Sequence, residues 1–600
     1  MNKSGRSFNL KEYKTLLPYF SQYRRRYIVG LIFLVIVDSA QIAIPQFIRM
    51  AVDIISGGVF EWRQIVTLCL LMVGTMTLVS AGRFLWRYFI HGSSRRIEAQ
   101  LREKLYDHLQ KLSWDFYQKN KIGDLMARSI NDLHSVRMSI GMGLVAFFDF
   151  LFMSTAILII IFVQDAQSAL YSIIPLPLVT VLILLFGGFV GKKFRAAHEA
   201  YSKLSDDAQE TFAGISVIKS FVKEWWFIKK FADSNDDYRK ANMDLVKLFG
   251  FFFPFVSFLS GLTVLIMLIV GGRRVILDMM TPGSLVAMFS YLNMLIWPLM
   301  GAGFVVNIIQ RGAVSLGRVN EILNTVPSIM ESENPATAEA PAYSNNAVPV
   351  LELTNLDFMY GENKKVLDGI NLKIMRGQWL GIMGRTGSGK STLIKSFMRM
   401  IDPPKGTVKV FDLDVHDWQL EELRKLFAVS PQDSYLFSDS IANNIAYGRP
   451  LVLQDEVNKA VDFACLNKDL ENFQNGKETL VGERGLTLSG GQKQRTAIAR
   501  AAIMESEFLI LDDSLSAVDN ETELKILEAL RKERKGKTTI IISHRVSTLK
   551  YADNILVLDK GKMTEYGTPA ELAKTGGFYG RMLEFQRLEH SPALQEGKDG

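Results

Sequence analysis

The sequence predicts a two-part chain: a bundle of six membrane-spanning helices followed by a soluble α/β domain. Three observations predict it. First, 48% of the 600 residues are hydrophobic, and they gather in long runs instead of spreading through the chain. Second, those runs end near residue 308. Third, short β-rich runs then alternate with helical ones, the texture of an α/β domain. The clustering excludes one large apolar soluble protein.

Six apolar segments, at about 27–49, 64–90, 141–163, 169–190, 248–271 and 284–308, fit the ~20 residues a helix needs to cross hydrocarbon. Inside lipid the backbone must satisfy its own polar groups, so such runs must be helical. The first segment lacks a small-residue cleavage site and more spans follow, so it reads as a retained anchor. Asp38 and Asp149 interrupt two segments. Charge there is expensive, so each is expected to face the bundle interior or an aqueous cavity. Each then either contacts substrate, or sits at a helix break or pairs with a neighbour.

The net charge of +7 does not point to a nucleic-acid partner. Lys3, Arg6, Lys11, Lys14, Arg24, Arg25 and Arg26 lie just before the first apolar segment, where a cytoplasmic N-terminus is expected to carry positive charge. Short links join spans one to two, three to four and five to six. Long polar stretches, about 91–140 and 191–247, join the others. Fifty residues of helix would span roughly 75 Å, so each stretch is expected to fold back as two helices beyond the bilayer, on the cytoplasmic side. The two cysteines, Cys69 and Cys465, form neither a disulfide framework nor a metal cluster.

These readings give a transmembrane domain over 1–326, an aperiodic Pro/Ala/Ser/Asn-rich linker over 327–349, a nucleotide-binding domain over 350–586 and a disordered tail over 587–600. Nucleotide binding rests on Gly384, Arg385, Thr386, Gly387, Ser388, Gly389, Lys390, Ser391 and Thr392, which follow an apolar strand candidate at 379–383 and precede a helical run. Strand, loop and helix in that order are the context a phosphate-binding loop requires. The glycines let backbone N–H groups turn inward, and the helix N-terminus adds positive potential. Lys390 is expected at the β- and γ-phosphates of ATP and Ser391 on Mg²⁺. The apolar run 508–511 ends in Asp512, a strand-end carboxylate expected near the metal.

With Leu488-Ser489-Gly490-Gly491-Gln492, the chain closely resembles the ATP-binding cassette exporters, in particular bacterial half-transporters related to multidrug and lipid A exporters. The resemblance covers about 20–585. It implies a type IV exporter fold in which two cassettes meet head to tail, the 488–492 segment of one closing over the γ-phosphate held by the other. It further implies that Tyr360 stacks on adenine and that Gln432 senses Mg²⁺ and couples the cassette to the membrane domain. In the same way 479–485, including Glu483, would touch the intracellular helices, 516–519 would communicate between the two sites, and His544 would contact the γ-phosphate. Segments 116–133, 209–221 and 281–283 match the membrane half of the family, which implies coupling helices near 117–124 and 218–225.

One residue departs from the family pattern. Asp513 stands where glutamate usually acts as general base, and it pulls the carboxylate back by roughly 1.5 Å, when misplacement of about 1 Å can cost about 100-fold in rate. Followed by Ser-Leu-Ser-Ala-Val-Asp, it resembles the degenerate member of asymmetric heterodimers, whose partner subunit carries the catalytic glutamate. The expectation is therefore an ATP-driven exporter of hydrophobic or amphipathic compounds, drugs or lipids, in the cytoplasmic membrane. It would work by alternating access as half of a heterodimer, with Asp513, His544 and Gln432 at its own weakly hydrolytic site. The alternatives are a homodimeric lipid flippase, an ATP-gated regulator that does not pump, and a soluble-type ATPase, which the six spans oppose.

Overall fold

The computed structural model describes residues 10–589 apart from 59–60, 333–334, 336–347, 362–363, 450, 483–484 and 486. Most of the expected linker, Glu483 and residues 590–600 of the expected tail lie outside the described residues. The chain divides into two units, one of residues 1–111 and 120–325, the other of 112–119 and 326–600.

The first unit is helical throughout. Its helices are α1 (Leu17–Ser56), α2 (Trp62–Trp86), α3 (Gly92–Lys111), α5 (Ile122–Ala127), α6 (Leu133–Met138), α7 (Leu144–Gln164), α8 (Ala166–Ile173), α9 (Pro175–Ala213), α10 (Ile215–Ser220), α11 (Glu224–Ile276) and α12 (Pro282–Leu323); α4 (Trp114–Lys119) belongs to the second unit. Single π turns at Arg87–His91, Arg128–Asp132 and Ser139–Gly143 keep the second and third rods continuous through these junctions. Among the described residues, five helical stretches are long and apolar enough to span a bilayer. The fourth expected span, 169–190, is not one uninterrupted helix. It is divided at Ile174 between α8 and α9, where Pro175 brings no N–H to the ladder and takes the first turn of α9.

The apolar residues of these helices are largely exposed, as Leu70, Phe84, Val163 and Trp297 are. That fits elements solvated by lipid, whose apolar surface gains nothing by turning inward. Polar ties fix the packing instead. Thr281 caps α12 by accepting from Ser284 N at 3.1 Å, and Pro282 follows in the first turn. Asp53 of α1 then accepts from Gly283 N at 2.8 Å and from the Thr281 hydroxyl at 3.0 Å. A Cβ at Gly283 would lie 2.2 Å from the Arg49 carbonyl, so only glycine permits this approach. At the other end of α12, Ser315 and Arg318 both donate to the buried Asp132.

The second unit holds two sheets. The four-stranded one has the order β2-β1-β4-β5, from β1 (Leu351–Tyr360), β2 (Lys364–Ile374), β4 (Val408–Val410) and β5 (Leu413–Asp414). The six-stranded one has the order β10-β9-β3-β8-β7-β6, from β3 (Trp379–Gly384), β6 (Phe427–Ser430), β7 (Phe508–Asp512), β8 (Thr538–Ile542), β9 (Asn554–Asp559) and β10 (Lys562–Gly567). Strands β9, β3, β8, β7 and β6 are parallel. Their runs are apolar on both faces because helices cover both. Leu380, Ile382, Ile510 and Ile540 pack on one side, and Met383, Leu509, Leu511 and Ile541 on the other.

The covering helices are α13 (Lys390–Phe397), α14 (Leu420–Lys425), α15 (Ile441–Ala446), α16 (Gln454–Phe463), α17 (Asn467–Glu471), α18 (Gly490–Ala502), α19 (Asn520–Glu533), α20 (Val546–Leu549), α21 (Pro569–Leu572) and α22 (Phe578–Glu589). Helix α22 continues to Glu589, so residues 587–589 of the expected tail are helical. Phe578, Tyr579, Met582 and Leu583, spaced for one helix face, pack on the core and carry the helix outward.

The short helix α4, read from the sequence as part of the membrane domain, groups with the second unit. There the Lys395 ammonium sits 5.1 Å from the Trp114 ring and the Ser113 and Ser328 hydroxyls meet at 2.5 Å.

Candidate nucleotide site

Strand register brings the functional segments to one edge. Ile382 of β3 pairs with Ile542 of β8, which pairs with Asp512 of β7, and Leu511 pairs with Ser430 of β6. The loops leaving these parallel strands therefore emerge together: 384–389, 513–519, 543–545 and the segment holding Gln432. Ligands of open α/β sheets bind at this carboxyl edge.

The phosphate loop is shaped by its glycines. Gly384, Gly387 and Gly389 have φ of 156°, 78° and 106°, and a Cβ at Gly384 or Gly389 would lie 2.2 Å from the Leu558 carbonyl or 2.9 Å from the Val366 carbonyl. Lys390 opens α13 and is 9% exposed. Its Nζ donates to the Gly384 and Arg385 carbonyls at 2.7 and 3.1 Å. Burial holds this ammonium below the ordinary lysine range, while Asp512 and Asp513 oppose that shift. The buried Ser388 hydroxyl has no partner. Loop, buried cation and orphan hydroxyl at a helix N-terminus form an anion cradle, and they fit the terminal phosphates of a nucleotide.

Next to the cradle, the Ser391 hydroxyl donates to Asp512 Oδ2 at 3.4 Å. Burial pushes Asp512 above the usual carboxylate range, and the Ser391 hydrogen bond pulls it partway back. One hydroxyl and one carboxylate fit a Mg²⁺ ion that completes its shell with water and phosphate oxygens.

Asp513 has φ 48°, which aspartate tolerates better than most residues. Its N–H donates to the Ile542 carbonyl at 3.0 Å, and its own carbonyl accepts from the Ser516 hydroxyl at 2.8 Å. Burial raises the Asp513 carboxyl, and nearby His544 lowers it. Burial and Lys390 push His544 below the ordinary imidazole range. Gln432 and Arg385 are exposed. Tyr360, at the end of β1, is half-buried edge-on to Phe358 at 5.0 Å.

Residues 489–492 open α18 against the 513–519 loop, where a Cβ at Gly491 would lie 2.8 Å from the Ala517 carbonyl. Ser489 and Gln492 form a reciprocal capping box at the start of α18, Ser489 N to Gln492 Oε1 at 2.9 Å and Gln492 N to Ser489 Oγ at 3.3 Å. Gln492 also donates to Asp469 at 3.0 Å. Sequence reasoning missed two residues that link these parts. Gln494 of α18 accepts from Ala517 N at 2.8 Å and donates to the Ser516 hydroxyl at 3.0 Å. Arg545 donates to the Ser516 and Val518 carbonyls at 2.9 and 3.2 Å and to Glu523 at 2.6 Å. Both lie beside quoted motifs, but only the folded loop shows what they grip.

Comparison with known proteins identifies the family. Residues 27–299 match the ABC transporter transmembrane region and 367–516 match the ABC transporter family. The probable multidrug resistance ABC transporter ATP-binding/permease protein YheI of Bacillus subtilis is 36% identical over 96% of this chain and 97% of its own. The chain belongs to the ABC transporters. An ATP-dependent lipid A-core flippase of Syntrophus aciditrophicus is 30% identical over 98% of this transporter and 96% of its own length. A bacterial Atm1-family ABC exporter solved with ATP bound matches with a TM-score of 0.77 and 25% identity, over 94% of this transporter and 99% of that chain. The transporter thus has the type IV exporter fold, a multi-pass membrane region fused to a cytoplasmic α/β ATPase that drives transport.

Proposed function

We propose that this transporter exports hydrophobic or amphipathic compounds, with Lys390 and Ser388 holding the terminal phosphates of ATP, Ser391 and Asp512 holding Mg²⁺, and Tyr360 supporting the adenine. Bound Mg²⁺ would neutralise charge on the phosphates. Gln432, on a loop at the same strand edge, would report occupancy of the site. His544, kept neutral by burial, would donate to the γ-phosphate, and Asp513 would take the proton from the attacking water.

Two copies of the cassette would work together, as the family resemblance implies, with 489–492 of one closing over the phosphates held by the other. One observation supports pairing. The turn around α10 exposes Phe212, Phe221, Val222 and Trp225 together, more apolar surface than a cytoplasmic segment leaves bare.

The partner has two readings. The full-length similarity to a lipid flippase and to the Atm1-family exporter favours a homodimeric flippase, with Asp513 working in both sites. The pinned backbone of Asp513 favours a heterodimer. Its N–H and carbonyl are both hydrogen-bonded, so the backbone cannot advance to make up for the missing methylene, and a partner glutamate would carry turnover. Steady-state ATPase activity of the chain purified alone separates them. A typical enzyme rate that Asp513→Ala abolishes establishes the homodimer. Low activity that rises on adding a glutamate-bearing partner, falls with Ser489→Ala and is little changed by Asp513→Ala establishes the heterodimer. ATP-dependent uptake of a lipophilic dye into inverted vesicles tests export itself, and its absence would leave the non-pumping regulator.

A further inference from the structure

A groove of about 680 Å³ runs between α1 and α7, walled by side chains such as Ile32, Val35, Leu151, Phe152 and Ile159. Asp38 is the only ionisable residue among those lining it. It is 1% exposed, and its Oδ2 has no hydrogen-bond partner. The half-buried Asp149 of α7 lies within hydrogen-bonding reach of it. Arg83 of α2 is the nearby cation, but its guanidinium donates to Gln41 Oε1 at 3.0 Å. Two carboxyls thus share one offset guanidinium at the middle of an apolar run, where ionisable groups persist chiefly by serving a partner.

We propose that Asp38, backed by Asp149, recognises the charged head of an amphipathic organic cation whose apolar body lies in this groove. The volume falls within the roughly 300–1,000 Å³ of small-molecule sites. Phe148, also in the lining, presents an aromatic ring to a bound cation. A lipid tail would leave Asp38 Oδ2 unpaired, an anionic headgroup would be repelled, and an apolar helix of a second copy would bring no donor. The inference names the substrate class of the proposed exporter and rests on that reading only for the cation being cargo; binding itself requires no transport.

The test uses the full-length chain in zwitterionic nanodiscs with tetraphenylphosphonium and tetraphenylborate, ions of the same shape and opposite charge. After subtraction of partitioning into protein-free discs, the wild type should bind the phosphonium at least about tenfold more tightly, the worth of one close charge contact. Asp38→Asn with Asp149→Asn should remove that preference, and Asp38→Glu should keep it. Phosphonium should also protect Asp38 of the wild-type chain from a hydrophobic carbodiimide, read by mass spectrometry, a measurement that needs no variant to fold. Equal binding of the two ions, a preference that survives both Asn substitutions, or no protection of Asp38 because a second copy fills the groove would each overturn the proposal. Any of these leaves the exporter reading standing, whereas phosphonium that binds but is never moved by ATP would sink the exporter reading and leave the site.

Discussion

Replacing Lys390 should separate nucleotide binding from folding. Its buried ammonium is held by the Gly384 and Arg385 carbonyls at 2.7 and 3.1 Å, pre-placed at the mouth of the loop before phosphate arrives. A hydrogen bond from a charged group contributes about 1.5–3 kcal/mol, so losing one such contact to a phosphate should weaken ATP binding about 10- to 150-fold. Lys390→Met keeps most of the aliphatic stem and tests the charge; Lys390→Ala also opens the packing. Either change strips the two carbonyls of their donor, at about 1–3 kcal/mol, so the melting temperature should fall by roughly 2–4 °C per kcal/mol in a domain of about 200 residues. Titration calorimetry of ATP into the full-length protein, with melting followed in parallel, reads both effects. ATP affinity within about threefold of wild type in both variants would refute the assignment of the loop.

Three further outcomes are expected. Gln494→Ala frees the loop after Asp513 from α18 without touching the phosphate cradle, so kcat should fall about tenfold or more through misplacement, with ATP affinity nearly unchanged; a matching loss of affinity would count against a positioning role. His544 is held below the unfolded value of 6.5, so its contribution to stability is present above pH 6.5 and lost as pH falls through its folded value. Asp512 and Asp513, both raised by burial, act oppositely, losing stability as pH climbs from 3.8 through their folded values. The two effects oppose each other below pH 6.5, so His544 is read by difference: as pH drops from 6.5, melting of the nucleotide-free wild type should fall relative to that of His544→Ala. Finally, in a chain lacking Cys69 and Cys465, a cysteine at exposed Gln167 should react with an impermeant thiol reagent from outside intact cells, while one at exposed Lys119 should not; the reverse would overturn the topology.

The sequence by itself determined the division into membrane helices and an α/β cassette, because spans and buried parallel strands are both long apolar runs with a required length. It also laid out the proposed phosphate loop, where glycine, lysine and hydroxyl must follow one another along the chain to meet one phosphate group. It could not reveal what depends on residues distant in sequence. The division of the fourth span at Ile174 was partly legible in Pro175, but only the helix geometry decided that the proline starts a helix instead of kinking one. The grouping of α4 with the cassette follows from Trp114 meeting Lys395, 281 positions away in the chain. The grip of Gln494 and Arg545 on the loop after Asp513 follows from strand register, which sets α18, β7 and β8 side by side. Asp38 and Asp149 were visible as two acids in two apolar runs; that they meet, beside a groove and with one oxygen unpaired, is a property of helix packing, since side chains 111 residues apart share a dielectric only once the chain has folded.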